Sequence, residues 1–167
     1  QLLDAGQPIQ QAAWIPGSEL CLLHTGYSAQ LAPVKARRNL ALLQRELRET
    51  DQPERWYMYL AETYDVLGER AKAMEYARLD IAGGRQQVTY ASRSYRILLR
   101  CLAEPGEAGE ERLSVARQAV RDFPELPEFW AELAEALAAA GDFQAASIAM
   151  ETALQKRDSY AGQEPMR

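Results

Sequence analysis

The sequence contains very few residues that could hold a metal or form disulfides. Among its 167 residues there is one histidine, His24, and there are two cysteines, Cys21 and Cys101. A single histidine cannot build a multi-histidine site, and two widely spaced cysteines form neither a zinc motif nor a disulfide framework. We therefore expect core positions for the cysteines, no metal or other cofactor, and a reduced, cytoplasmic setting.

Long apolar runs and an excess of basic charge are also missing. No apolar stretch approaches the roughly 20 residues that cross a bilayer, and residues 1–4 do not resemble the start of a signal peptide. The 19 lysines and arginines are outnumbered by 24 aspartates and glutamates, which gives a formal net charge of −5. This composition argues against a membrane span and against general affinity for nucleic acid.

The sequence does contain an internal repeat made of helix-forming residues. Hydrophobic residues make up 47% of the chain, which is enough for one domain with a core, and recurrent Ala, Leu, Glu, Gln and Arg favour helices. Two segments, each with a proline in its first turn, align without gaps from an aromatic residue to a helix-ending glycine. The aligned pairs are Tyr57 and Trp130, Leu60 and Leu133, Ala61 and Ala134, Tyr64 and Leu137, and Gly68 and Gly141.

A second helix rich in small residues is predicted after each glycine. The residues expected to pack from this helix are Ala73, Met74 and Ala77 in the first copy, and Ala146, Met150, Ala153 and Leu154 in the second. The small alanines would let two antiparallel helices approach closely. This succession of aromatic, Leu-Ala, large apolar, Gly and Ala residues resembles the tetratricopeptide repeat. The resemblance implies an all-α fold, a right-handed superhelix of stacked helical hairpins. The first copy departs from the family pattern at Asp80, where a small residue is usual.

A degenerate middle copy and a capping helix complete the predicted domain. The two glycines are 73 residues apart, about two periods of a 34-residue repeat. The middle copy has apolar positions at Tyr95, Leu98 and Leu102, a turn at residues 105–106 and a second helix ending at residues 123–124. Upstream, residues 34–49 form a helix with a leucine stripe that would cover the open end of the first hairpin. We assign about three hairpins and this cap to residues 32–158, and a tail to residues 159–167.

Residues 1–31 have a different character from the rest of the chain. Prolines and glycines interrupt them, and residues 20–24 have the pattern of a short strand, which would have no partner in a helical domain. The first methionine is Met58, inside a predicted helix. We therefore expect residues 1–31 to be a remnant or linker from an upstream domain of a longer protein.

A second resemblance involves this junction. Residues 24–28, His-Thr-Gly-Tyr-Ser, followed by residues 35–43, Lys-Ala-Arg-Arg-Asn-Leu-Ala-Leu-Leu, are similar to a junction in some bacterial family-2 glycosyltransferases. There a His-x-Gly-Tyr strand closes the catalytic domain and a helix leads into tetratricopeptide repeats. The resemblance covers roughly residues 20–82 and implies a parent enzyme that uses a nucleotide-sugar donor and a divalent metal. It implies that His24 lies near the donor site of the parent; otherwise His24 packs at a strand end.

Two functional interpretations follow, and neither makes this chain an enzyme. The Asp-x-Asp metal motif and the donor-binding sheet of the glycosyltransferases are absent from the sequence. One interpretation is therefore a non-catalytic accessory domain that binds an acceptor or partner beside an upstream catalytic domain. The alternative is a free-standing scaffold that assembles protein partners; the fold alone does not choose between them.

The candidate ligand site is a set of arginines on first helices of the hairpins. Positions three and four apart share one helix face, and guanidinium groups in a common groove suit carboxylates or phosphates. An acidic peptide, a chain terminus or an anionic glycan precursor is the expected ligand. The alternative is that Glu62, Asp65 and Glu135 neutralise the arginines in ordinary solvated ion pairs. The four candidate residues are Arg55, Arg93, Arg96 and Arg100.

Aromatic residues early in the hairpins are interpreted as core. Trp56, Tyr57 and Trp130 lie on the predicted buried stripe, so a sugar-stacking platform is the less favoured interpretation. We expect Trp130 to be buried between the two helices of the last hairpin. On that interpretation, its replacement by alanine costs about 3–5 kcal/mol of stability.

Overall fold

The computed structural model describes residues 32–84, 88, 90–104 and 109–161, together with the backbone of residues 3–4 and 7–8. In these residues it contains seven helices and one short pair of antiparallel strands, in which Leu3 is opposite Pro8 and Asp4 is opposite Gln7. The strands are β1 Leu3–Asp4 and β2 Gln7–Pro8. The helices are α1 Ala32–Glu49, α2 Glu54–Val66, α3 Arg70–Ala82, α4 Arg93–Leu102, α5 Gly109–Asp122, α6 Pro127–Ala139 and α7 Phe143–Ser159.

The prediction of an all-α domain is confirmed for the described residues. The expected strand at residues 20–24 and the expected turn at residues 105–106 lie outside them. The helix expected at residues 34–49 begins two residues earlier, at Ala32. The last helix, α7, reaches Ser159, and Tyr160 packs against the core just beyond it.

The two aligned segments fold into hairpins with nearly identical turns. Gly68, between α2 and α3, has a φ of 75°, and Gly141, between α6 and α7, has a φ of 85°. The residue after each glycine donates its N–H to the carbonyl five residues earlier, at 2.9 and 3.0 Å. These bonds satisfy carbonyls that the end of the helix leaves open, in the pattern known as the Schellman motif. The repeat detected in the sequence is therefore also a repeat of backbone geometry.

The buried side chains form two clusters that meet at α4. Ile81 and Val115 pack against both clusters, so the core continues from one hairpin to the next. Equivalent small residues, such as Ala73 and Ala146, are buried in both outer hairpins, as close helix approach requires. The first cluster is built around Leu60, Ala61, Tyr64, Ala73, Ala77, Leu98 and Leu102. The second is built around Tyr95, Leu99, Ala116, Ala119, Phe123, Phe129, Leu133, Leu137 and Ala146.

Each helix packs against the next one along the chain, and α2 also contacts α4. At the amino-terminal end, α1 lies against α2 with a partly buried leucine stripe, Leu40, Leu43 and Leu47. Ala36 is the one residue of α1 that is fully buried. The predicted stripe of this helix is thus the side that contacts the domain, while its other faces remain exposed.

The aromatic core differs from the sequence prediction. Trp130 is half-buried: it packs on the edge of the second cluster, and its indole N–H donates to the carbonyl of Pro124 at 3.0 Å. The preceding residue, Phe129, is only 1% exposed. Adjacent helical residues point about 100° apart, and the rotation of α6 about its axis places Phe129 inside the cluster and Trp130 at its edge. Trp56 and Tyr57 are likewise half-buried instead of central. The packing expected for Met150 and Leu154 in the last hairpin is wrong, because both side chains are exposed.

Candidate binding groove

The three candidate arginines of α4 are divided between two neighbouring helices. Arg93 pairs with Glu62, and Arg100 pairs with Asp65, both on α2. Arg93 also lies over the ring of Tyr90, with its guanidinium carbon 4.4 Å from the ring centroid. The alternative interpretation of the sequence was that Glu62 and Asp65 neutralise the arginines, and the structure contains both of these ion pairs.

Arg96 points in a different direction and is much less accessible. It contacts Glu128, at the start of α6, at 2.6 Å, and the two side chains are only 12% and 17% exposed. Two charges removed from water in this way form a structural tie between α4 and α6. The guanidinium groups of Arg93, Arg96 and Arg100 therefore do not share one open groove. Arg96 pairs with Glu128 of α6, whereas Arg93 and Arg100 pair with residues of α2.

Arg55, the fourth candidate, is separated from the others along the helix. It is exposed at the start of α2, where its guanidinium donates to the Gln52 side chain at 3.5 Å. Glu62, the partner of Arg93, follows two turns later, which is about 10 Å along the helix axis. Arg55 and Arg93 both lie at the start of a helix, but the tertiary structure gives the two arginines different surroundings.

Further ion pairs between helices were not anticipated from the sequence. Arg78 of α3 binds Glu111 of α5 with two hydrogen bonds, of 2.6 and 3.1 Å. Arg112 of α5 binds Glu132 at 2.9 Å and Glu135 at 2.8 Å, so Glu135 neutralises Arg112 and not an arginine of α4. Burial lowers the pKa of Arg112, but hydrogen bonds and charges from the two glutamates outweigh it, and the net shift is upward.

An open concavity lies between α1 and α2. It is a cleft of about 470 Å³ that also includes Arg93 at the start of α4. Three of its large apolar side chains remain accessible: Leu42 is 47% exposed, Tyr59 is 42% exposed and Val66 is 43% exposed. Accessible apolar side chains grouped in a concave surface are typical of binding sites.

The cleft also carries charge. Its basic side chains are Lys35 and Arg93, and its acidic side chain is Glu62. Arg93 and Glu62 are paired with each other, and Lys35 places a further basic group in the lining. The cleft therefore combines an apolar contact surface with charged side chains in its lining.

Of the four sequence-predicted arginines, only Arg93 lines this cleft, and its apolar residues were missed. A usable signal was present in the sequence. Tyr59 and Val66 are seven residues apart on α2, so they share a face that is not the buried one. Leu42 falls outside the leucine stripe of α1 in the same way. Large apolar residues at helical spacing on a second face indicate a contact surface beyond the intramolecular core.

The candidate groups for chemistry do not assemble into a reactive site in the described residues. Cys101 is buried; burial raises the pKa of its thiol, and nearby Arg70 and Arg100 lower it by less. His24 and Cys21 lie outside the described residues. Among the residues that the structure does describe, no group of three or more His, Cys, Asp or Glu side chains could hold a metal ion.

A search of the described helices finds none that is long and apolar enough to cross a membrane. In comparisons with known proteins, no protein-family model matches the chain, and no curated protein sequence matches it. Assignment of a function therefore depends on the cleft and on the repeat itself.

Proposed function

We propose that this chain is a non-catalytic interaction domain of the tetratricopeptide type, which binds a segment of another protein in the cleft between α1 and α2. The observation that carries the proposal is the grouping of Leu42, Tyr59 and Val66, each more than 40% exposed, in one concave surface. A segment that inserts an apolar side chain among them and places a carboxylate near Lys35 fits both the shape and the charge.

The hairpin geometry supports the repeat assignment. The first helices of the two outer hairpins, α2 and α6, are both 13 residues long. Their turns share the same hydrogen bonds. Several equivalent positions are buried in both hairpins, among them Leu60 and Leu133, Ala61 and Ala134, and Ala73 and Ala146. Consecutive packing of helices, with an additional contact between α2 and α4, suits a stacked array whose first helices line one surface.

We further propose that this domain is the accessory part of a family-2 glycosyltransferase. Only the sequence similarity at residues 24–28 and 35–43 supports this step. The second of these stretches forms part of α1, the helix that lines the cleft. The sequence encoded upstream of Gln1 tests it. About 200 residues of alternating strands and helices with an acidic metal motif would support the transferase, whereas further repeats would favour a free-standing scaffold.

Binding in the cleft can be tested with selected peptides. A random 12-residue phage-displayed library is panned against the 167-residue chain, and the enriched peptides are synthesised and titrated by fluorescence polarisation. We expect enrichment of peptides with a large apolar residue near an aspartate or glutamate. Combining Leu42→Ser with Tyr59→Ala should weaken their binding at least about 10-fold, the effect of losing two apolar contacts at the centre of an interface.

Leu79→Ser is the matched control for this experiment. Leu79 is 42% exposed, almost as much as Leu42, but it lies on α3 outside the cleft. Its substitution should leave peptide affinity unchanged. Lys35→Ala should weaken binding of an acidic peptide more than binding of its amide analogue. Equal affinities of the cleft variant and the Leu79 variant for every selected peptide would refute the proposed site.

A further inference from the structure

A second accessible apolar surface lies on α7, at the opposite end of the helix array from the cleft. Phe143 is 72% exposed, Met150 is 39% exposed and Leu154 is 46% exposed. With Ser147 they are spaced four, three and four residues apart, so all four fall on one narrow face of the helix. The buried alanines that pack on α6 lie about a quarter turn away from it. We call Phe143, Ser147, Met150 and Leu154 the α7 stripe.

The repeat shows what this face does elsewhere in the same molecule. Positions equivalent to Ser147, Met150 and Leu154 in the first hairpin are occupied by residues of α3, the helix that contacts both α2 and α4. They are buried or partly buried in the cluster that also contains α4 side chains. These α3 residues are Met74, Ala77 and Ile81. In the described part of the chain no helix occupies the corresponding place beside α7, so a face that accepts a helix in one hairpin is left uncovered in the other.

The spacing of the stripe makes it complementary to itself. When two α7 helices are placed antiparallel about a two-fold axis, Phe143 lies opposite Leu154 and Ser147 lies opposite Met150. A small residue then faces a large one at the centre and two large apolar residues meet at each end, as in well-packed helix pairs. A two-fold contact requires only this kind of self-complementarity, because both copies contribute the same surface.

The charges of α7 also permit self-association. The helix contains two acidic residues, Glu151 and Asp158, and two basic ones, Lys156 and Arg157, so its side-chain charges cancel. In the antiparallel register, Arg157 of one copy lies beside the first turn of the other, next to Asp142. Opposed helix dipoles add a small favourable term. The chain as a whole has a net charge of −5, but α7 contributes no net charge to the repulsion between two copies at this face.

We infer that two copies of this chain associate through the α7 stripe, with the two helices antiparallel. The contact is modest in size: a helix of 17 residues is about 26 Å long. An antiparallel pair of that length buries roughly 800–1,000 Å² in total, near the lower limit of specific interfaces. The dimer is therefore concentration-dependent, and its formation does not depend on what binds in the α1–α2 cleft.

Sedimentation velocity of the full 167-residue chain tests the inference. Between about 1 and 300 µM, a range suited to an interface of this size, the weight-average mass should rise from the monomer value of 18.7 kDa toward twice that value. Met150→Glu and Leu154→Glu should each raise the dissociation constant at least 10-fold, since each buries a charge in the contact between the two helices. Both side chains are exposed, so far-UV circular dichroism should show unchanged helicity.

Ile148→Glu is the matched control. Ile148 is 60% exposed on the same helix, but it lies more than 90° around the axis from the stripe. It should leave the dissociation constant unchanged. A chain that stays monomeric at 300 µM, or a dimer that Met150→Glu and Ile148→Glu weaken equally, would overturn the inference.

The register has its own test. In a Cys21→Ser background, a mixture of Ser147→Cys and Met150→Cys chains should form the mixed disulfide faster than either chain forms a disulfide with itself. Preferential cross-linking of each variant with itself would indicate a parallel pair and would overturn the antiparallel arrangement.

Discussion

Replacing Phe129 by alanine gives the most direct check of the packing at the centre of the domain. Phe129 is 1% exposed, and its ring centroid lies 5.9 Å from those of both Tyr95 and Phe123. A buried Phe→Ala change costs about 3–5 kcal/mol in lost transfer free energy and cavity formation. The two aromatic contacts contribute a further share of that stability. We expect about 4 kcal/mol for Phe129→Ala.

The comparison residue is its neighbour Trp130. It is half-buried at the edge of the cluster and retains contact with solvent, so Trp130→Ala leaves a less enclosed cavity and removes one hydrogen bond to the Pro124 carbonyl. We expect a cost of about 2 kcal/mol, less than the cost of 3–5 kcal/mol that the sequence predicted for this residue. Phe129→Ala should therefore cost more stability than Trp130→Ala. This order is the part of the prediction that depends on the tertiary structure.

Urea unfolding followed by far-UV circular dichroism measures both values. A chain of this size has a denaturant dependence of about 2 kcal/mol per molar urea, so the midpoint should fall by about 2 M for Phe129→Ala and about 1 M for Trp130→Ala. Total stabilities of 5–15 kcal/mol are typical of single domains, and both variants should therefore still fold. A shift below about 0.5 M for Phe129→Ala, or a larger shift for Trp130→Ala, would show that this aromatic cluster is not the core.

Three further predictions use the same unfolding assay. Gly68→Ala and Gly141→Ala should each cost about 1–2 kcal/mol, because both positions have positive φ although neither lacks space for a methyl group; a neutral result would contradict the turn geometry. Arg96→Ala leaves a buried glutamate on α6 without its ion pair and should cost about 3 kcal/mol, whereas a loss below 0.5 kcal/mol would mean that the pair is solvated. Burial and a hydrogen bond to Asp122 raise the pKa of the Tyr95 hydroxyl. The stability that the protonated Tyr95 hydroxyl gives to the folded state is therefore fully present below the pKa of an unperturbed tyrosine, about 10. This contribution decreases as the pH rises above that value. Tyr95→Phe should flatten this alkaline loss, and an equally steep decrease in the variant would assign it to other groups.

The candidate site was predictable only in part. The spacing of Arg93, Arg96 and Arg100 correctly places them together on α4, but spacing does not say which helices lie on either side. Arg96 became part of a buried pair because α6 brings Glu128 to it at 2.6 Å. Prediction of the cleft would have required knowledge of how α1 packs on α2. That packing is set by contacts between side chains far apart in the sequence.

The sequence by itself determined the helices and the hairpin turns, since these follow from local rules. Apolar spacing defines each helix face, and Gly68 and Gly141 supply the positive φ that ends the first helix of each outer hairpin. Only the tertiary structure decided which neighbouring side chain is buried, as with Phe129 and Trp130, and which carboxylate each arginine meets. Those outcomes depend on rotation of a helix about its axis and on its neighbours. A period of 3.6 residues limits that rotation but does not fix it, because several side chains compete for the same buried space.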